Sequence, residues 1–275
     1  MKKQCIQVNK KKGEQVRKVL MEKGSLDTSV RITSDEQYIY IPLISDADLT
    51  ELLFEDALVT EHEFMLHEKP ATLEHMLGYM PRYEVIGSIA LLESGETDLE
   101  RAADMLLQVN PHIRTVLAAL SPVEGEFRTR RFTFINGENT TQTVHREYGC
   151  RYAIDMEKAY FTPRLATERS RILEQVKDGE VVIDMFAGVG PFSILIAKNR
   201  PSCRVIAIDK NPEAVKFLRH NIALNAVGNV EAIEGDAKEV VRNYAGIADH
   251  IIMNLPHTAQ EFLEAAMVVA KPGTV

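Results

Sequence analysis

Residues 181–192, Val-Val-Ile-Asp-Met-Phe-Ala-Gly-Val-Gly-Pro-Phe, leave this chain few architectures. The apolar run reads as a buried parallel strand that ends in Asp184 and a small-residue turn. Gly188 and Gly190 lack a Cβ, so the backbone can bend sharply there and approach a ligand closely. Ser193 to Lys198 reads as a helix, and Pro191 suits its first turn, where a missing N–H is no loss. A strand joined to a helix N-terminus in this way is where open α/β sheets hold nucleotide-like cofactors. The pattern is Gly-x-Gly-Pro, not the G-x-G-x-x-G of dinucleotide sites, and a tight turn alone also asks for such residues.

The residues that follow extend the pattern. Arg204 to Ile208 is a second apolar strand ending in Asp209, which lies about twenty residues past Gly190, the spacing at which a carboxylate meets ribose hydroxyls. Pro212 to Leu224 has Ala214, Val215, Leu218 and Ile222 on one helical face. A third strand, Val230 to Ile233, ends near Asp236, and a fourth, His250 to Met253, delivers Asn254-Leu255-Pro256. Caps and turns explain any one of these polar strand ends. Four in order point to a doubly wound, Rossmann-like α/β sheet with a ligand crevice at its carboxyl edge.

The chain has 275 residues, 45% hydrophobic and 26% charged, enough for two or three domains and an ordinary globular core. Cys5, Cys150 and Cys203 are far apart and contain no C-x-x-C pair, so they read as reduced thiols. No cluster has metal-ligand spacing, and His145 and His257 read as surface residues. Met1-Lys2-Lys3-Gln4 opens no apolar signal segment, and no run reaches a membrane span, which gives a cytoplasmic expectation with no membrane partner.

A net charge of −8 argues against a nucleic-acid partner until its distribution is considered. Residues 40–110 hold fifteen acids and three Lys or Arg, whereas residues 112–171 hold ten Lys or Arg and seven acids. Lys10-Lys11-Lys12 and Arg17-Lys18 add a basic N-terminus. Each cluster also reads as solvated surface. Phosphate contact requires a local basic surface, not a basic protein.

Three units emerge along the chain. Residues 1–65 read as a small α/β module with strands Gln4–Val8 and Tyr38–Pro42, helix Gly13–Lys23, and a polar exit from His62 to Pro70. Residues 70–158 read as an α+β unit with a strand Tyr83–Ala90, an amphipathic helix Thr97–Gln108, and strands at Val116-Leu117, Arg130–Ile135, Thr143–Glu147 and Cys150–Ile154. Asn136-Gly137 reads as a hairpin turn between two of these strands. Residues 159–275 carry the doubly wound sheet. The closing Lys271-Pro272-Gly273-Thr274-Val275 announces another strand, with the expectation that the last strands of the sheet are missing.

Asp184 to Phe192 resembles the cofactor loop of class I S-adenosylmethionine-dependent methyltransferases. Together with Tyr160-Phe161-Thr162-Pro163-Arg164-Leu165-Ala166-Thr167-Glu168-Arg169 and Asn254-Leu255-Pro256, it resembles the archaeal/eukaryotic-type tRNA (guanine37-N1)-methyltransferases. The likeness spans all three units and is strongest from Phe127 to Phe262. It implies S-adenosyl-L-methionine as cofactor, held by Arg164, Arg169, Phe186, Gly188, Gly190, Asp209, Lys210, Asp236, Ala237 and Asn254. It also implies a monomer that binds tRNA, with the first unit at the outer corner and the other two at the anticodon stem-loop.

The chemistry asks for few groups. The methyl is already activated, so the enzyme positions it and prepares a nucleophile. Guanine N1 bears a proton, so a base near N1 and a cation near O6 are needed. In the resemblance Glu168 is the base and Arg128 the cation, with Arg130 or Arg131 as alternatives. Asn254 offers an amide to the base edge, Pro256 fixes the loop beyond it, and Tyr160 supports a flipped base or the cofactor. Plainer readings stand beside these. Glu168 also fits a helix face paired with Arg171, Arg128 to Arg131 a charged edge strand, and Tyr160 the core.

Competing functions are a wyosine-pathway transferase using the same cofactor, a non-catalytic tRNA-binding module on the same fold, and a small-molecule or protein methyltransferase. Intact Glu168, Asp209, Asp236 and Asn254 weigh against the binding module. Two extra units weigh against a small substrate.

Overall fold

The computed structural model describes residues 1–45, 47, 56–66, 72–93, 95, 98–255 and 258–275. Pro256, Thr97 and residues 67–70 of the expected linker lie outside them. The chain divides into two compact units, Met1–Pro70 and Ala71–Val275.

In the first unit, β1 (Lys2–Asn9) is followed by α1 (Gly13–Glu22), β2 (Thr33–Ser34), β3 (Tyr38–Pro42) and β4 (Leu58–Glu63). The sheet order is β2-β3-β1-β4, with every pair antiparallel. Val16 and Leu20 of α1 pack on Ile6, Val8 and Ile41, the inward-facing residues of alternating strands. The polar exit expected from His62 begins later, because His62 and Glu63 still pair with Lys3 and Lys2.

The second unit opens with α2 (Leu73–Leu77), β5 (Tyr83–Ile86), β6 (Ile89–Leu92), α3 (Leu99–Val109), β7 (Thr115–Ala119) and β8 (Phe132–Gly137). The single strand expected over Tyr83–Ala90 is instead a hairpin, since Gly87-Ser88 turns the chain and sets Ile86 opposite Ile89. Asp98 caps α3 by accepting from the Arg101 N–H. The strands β5-β6-β7-β8 form one sheet.

Asn136-Gly137 is not a hairpin turn. Gly137 ends β8 opposite Thr115, and the chain then leaves for a separate two-stranded sheet, β9 (Gln142–Glu147) with β10 (Cys150–Asp155). The hairpin turn there is Tyr148-Gly149, at φ 45° and 74°. Two residues of positive φ match the twist of the strands they join.

The remaining elements are α4 (Ala166–Gln175), β11 (Val181–Asp184), α5 (Pro191–Asn199), β12 (Arg204–Asp209), α6 (Pro212–Leu224), β13 (Val230–Glu234), α7 (Ala237–Val240), β14 (His250–Ile252) and α8 (Leu263–Val269). The sheet is parallel, in the order β13-β12-β11-β14. Both faces are covered, as a parallel sheet requires. Val182 and Val205 pack with Phe192 and Ile196 of α5, while Ile183, Ile206 and Ile208 pack with α7 and α8. One core joins Ile86, Ile89 and Leu117 to Tyr152, Ile154, Ala187, Val189 and Leu218, so the segments before and after residue 158 share buried surface. At the outer side of β14, Val275 donates to the Asp249 carbonyl and accepts from Ile251, both at 3.0 Å.

The helix α6 serves the fold in a second way. Asn221 bonds both backbone groups of Ala153, and Asn225, one turn later, does the same for Arg151. These side chains act toward β10 as a neighbouring strand would, pairing its backbone at Arg151 and Ala153. Asn221 also donates to the Val189 carbonyl in the glycine loop.

No helix among the described residues is long and apolar enough to cross a membrane. No group of metal-ligating side chains occurs among them. Cys5, Cys150 and Cys203 are free and buried.

Candidate active site

The carboxyl edge of the parallel sheet carries a cleft of about 290 Å³. Its floor is the loop from Met185 to Gly188, set by β11. Gly190, at φ 91°, starts α5, and a Cβ there would drive into Leu218 and Ile194, so only glycine lets the loop pack this close to α6. Asp209, at the end of β12, ties the loop down by accepting from the Gly188 N–H at 2.6 Å and the Asn211 N–H at 2.8 Å. Burial raises the Asp209 carboxyl, and those N–H bonds pull against it. Asp184 sits beneath, fully buried, accepting from the Ser193 hydroxyl at 2.7 Å; burial raises its carboxyl to about 7.

At one end of the cleft Asp236 caps α7, accepting from the Lys238 N–H, and Ala237 lies behind it. Lys210 bridges Asp236 at 3.5 Å and Glu126 at 2.6 Å, which holds its ammonium above the ordinary value. Phe186 meets Phe262 edge to face, with centroids 4.8 Å apart.

A second chamber of about 270 Å³ adjoins the first, and Arg128, Tyr160, Phe161, Thr162, Leu165 and Asn254 line both. Arg128 has φ 54°, in the left-handed region that non-glycine residues rarely enter. Its Cζ lies 5.1 Å from the Tyr160 ring centre. The Nε atoms of Arg128 and Arg130 are both buried without a hydrogen-bond partner among the described residues. Such donors are a latent demand for an acceptor. Arg131 differs: its side chain is 77% exposed and stands 4.0 Å from Glu124.

The residues expected from sequence therefore fall into groups. Phe186, Gly188, Asp209, Lys210, Asp236, Ala237, Arg169, Arg128, Tyr160 and Asn254 all line the cleft. Gly190 shapes it without lining it. Arg164 lines the second chamber, where its Nε reaches Glu84 at 3.1 Å. Glu168 lines neither: on the first turn of α4 its oxygens accept from Arg171 at 2.6 and 2.8 Å, a bond that lowers its carboxyl pKa. Arg169 lines the cleft but is 1% exposed and committed to Glu147 by two bonds, at 2.7 and 2.6 Å. Glu147, Glu126 and Phe127 are not among the site residues expected from the sequence. A lone glutamate in an alternating strand carries no sequence mark of burial.

The lining suits an S-adenosylmethionine-type cofactor. The Asp209 carboxylate, the rings of Phe186 and Phe262 near Asp236, and the glycine loop line one cleft at the strand ends, where nucleotide-like ligands bind in such sheets.

Comparison with known proteins agrees. Residues 143–275 match the TRM5/TYW2 methyltransferase domain, residues 5–51 the tRNA methyltransferase 5 N-terminal domain, and residues 65–140 the TYW2 N-terminal domain. The chain is 40% identical to the tRNA (guanine(37)-N(1))-methyltransferase Trm5b of Pyrococcus abyssi, over 98% of this chain and 82% of that protein. The crystal structure of that Trm5b superposes with TM-score 0.71 at 38% identity, again over 98% and 82% of the two chains. The complex structure of aTrm5 and tRNALeu gives 0.70 at 33% identity, over 97% of this chain and 84% of that one. The Pyrococcus horikoshii TYW2 bound to MeSAdo gives 0.60 at 33% identity, over 72% and 71%.

Fold and site together define a Rossmann-like methyltransferase that uses an S-adenosylmethionine-type cofactor. The chain belongs to the tRNA (guanine37-N1)-methyltransferase family, the Trm5 branch of the Trm5/TYW2 methyltransferases.

Proposed function

We propose that this protein transfers a methyl group from S-adenosyl-L-methionine to N1 of guanosine 37 in tRNA. The observation that carries the reading is the pair of adjoining chambers whose shared wall holds Arg128, Tyr160 and Asn254. One chamber takes the cofactor and the other the flipped base, so the groups that handle the base stand beside the cofactor cleft.

When bound, the cofactor supplies a methyl group activated by its sulfonium. Asp209 accepts from the ribose hydroxyls, while Gly188, Phe186, Lys210, Asp236 and Ala237 line the rest of that chamber. On the base side, Arg128 offers its guanidinium, with its unsatisfied Nε–H, to guanine O6, where negative charge gathers as N1 loses its proton. Asn254 donates to the base edge, with Pro256 after it, and Tyr160 supports the base plane. Glu168 takes the N1 proton; to do so its carboxylate leaves Arg171 and turns toward the chamber that Leu165, one turn earlier, helps to line. Arg164 contributes positive charge on that side.

The functional division we propose is residues 1–65 for the outer corner of tRNA, 70–158 for the anticodon stem-loop, and 159–275 for catalysis. The protein acts as a monomer in the cytoplasm, which suits three unpaired thiols.

Incubation of a tRNA transcript with methyl-labelled S-adenosylmethionine, followed by nucleoside mass spectrometry, tests this. The expected product is labelled 1-methylguanosine. An unlabelled gain of an aminocarboxypropyl group would favour the wyosine-pathway reaction instead, and no modification would favour a binding module.

A further inference from the structure

Arg169 heads the largest fully buried side chains among the described residues. Its Nε and Nη2 donate to the two oxygens of Glu147, and Nη2 also reaches the Thr162 carbonyl at 3.2 Å. Its guanidinium lies 5.5 Å from the Phe161 ring centre and 5.9 Å from that of Phe192. Glu147 comes from the last position of β9 with its side chain 8% exposed, and His145 stands 3.7 Å away. Burial pushes the Glu147 carboxyl up, but His145 and Arg169 outweigh burial and hold it below the usual carboxylate range. Glu147 therefore stays ionised at neutral pH.

The bond to Thr162 gives the pair its reach. Thr162 sits in the segment Tyr160–Leu165, where Tyr160, Phe161, Thr162 and Leu165 line both chambers. The Thr162 hydroxyl accepts from the Arg164 N–H, which starts the next turn. A rigid chain of bonds therefore runs from β9 through Arg169 to the wall shared by the two chambers. Glu147 itself lines neither chamber.

We propose that Glu147 is a positioning residue for methyl transfer: by fixing Arg169 it sets the Tyr160–Leu165 segment, and so the ring beneath Arg128. This rests on the proposed methyl transfer, which serves as its readout, and wild-type protein measured in parallel separates the two. A wild type without transfer would sink that function, and with an active wild type the variant's rate bears on Glu147 alone.

Glu147→Gln alone leaves a buried guanidinium without its counter-charge and endangers folding. The deciding variant is therefore the neutral pair Glu147→Gln with Arg169→Gln in the full chain. Its active sites are counted by calorimetric S-adenosylmethionine binding, and its single-turnover rate is expressed per site. The expected result is binding retained and transfer slowed about 10- to 100-fold, the scale of a small misplacement of reacting groups. Adding Tyr160→Ala should then slow it by less than the product of the separate effects, because both act through one segment. Wild-type rates per site, independent effects of the pair and Tyr160, or loss of cofactor binding in the neutral pair would each overturn the proposal and leave the pair a support of the fold.

Discussion

Asp184 is sealed under the glycine loop, where the Ser193 hydroxyl and the Phe186 N–H are its partners. Burial raises its carboxyl from 3.8 to about 7, so the folded chain holds a proton that the unfolded chain has released. Unfolding is then favoured more as pH climbs between those values, and the stability this proton supplies is lost as pH passes about 7. Asp184→Asn removes the titration, so the difference in unfolding free energy between wild type and variant should drift with pH across that window. Urea unfolding at several pH values reads it, and a constant difference would contradict the buried proton. Glu168 is the opposite case, exposed and paired with Arg171. If it is the base, Glu168→Gln should slow single-turnover transfer by about 10²–10⁴-fold with both affinities kept, and the defect should shrink as pH rises and N1 ionises unaided. Near-normal rates at neutral pH would leave Glu168 as the helix-face acid its contacts describe.

Among the elements, α6 does two jobs: it covers the sheet and completes the hydrogen bonding of β10. Asn221→Ala strips partners from the Ala153 N–H and carbonyl and from the Val189 carbonyl, all in the interior. The chain should lose about 1–3 kcal/mol for each buried group left unsatisfied, with Asn225→Ala losing less at its more exposed end. Chemical denaturation of both variants checks this, and equal small losses would mean water replaces the amides. The helix itself was plain in the sequence, because Ala214, Val215, Leu218 and Ile222 fall on one helical face, and the observed range matches. What its asparagines reach, 68 and 74 residues away, was not. The parallel strands were legible because their apolar runs stop at polar residues. Hairpins were harder. Asn136-Gly137 advertised a turn that β8 never makes, since β7 takes that strand into another sheet, while Tyr148-Gly149 turns β9 into β10 with a tyrosine where Asn or Asp usually precedes the glycine. Within the site, motif residues mostly reached the cleft, but Glu147 is defined by a partner 22 positions away. No local pattern marks that.

For the molecule as a whole, a net charge of −8 coexists with a second chamber flanked by Arg128, Arg130 and Arg164. If tRNA phosphates meet the basic segments, affinity should fall steeply as salt rises, with log K falling linearly in log salt, despite the repulsive net charge. A flat salt response would place recognition elsewhere. The reaction itself is best put to two tRNA transcripts that differ only in carrying guanosine or adenosine at position 37, each given methyl-labelled S-adenosylmethionine and excess protein. The chemistry assigned to Arg128, Asn254 and Glu168 predicts label on N1 of guanosine 37 in the first transcript and none in the second. Equal labelling of both, or label at any other nucleotide, would contradict it.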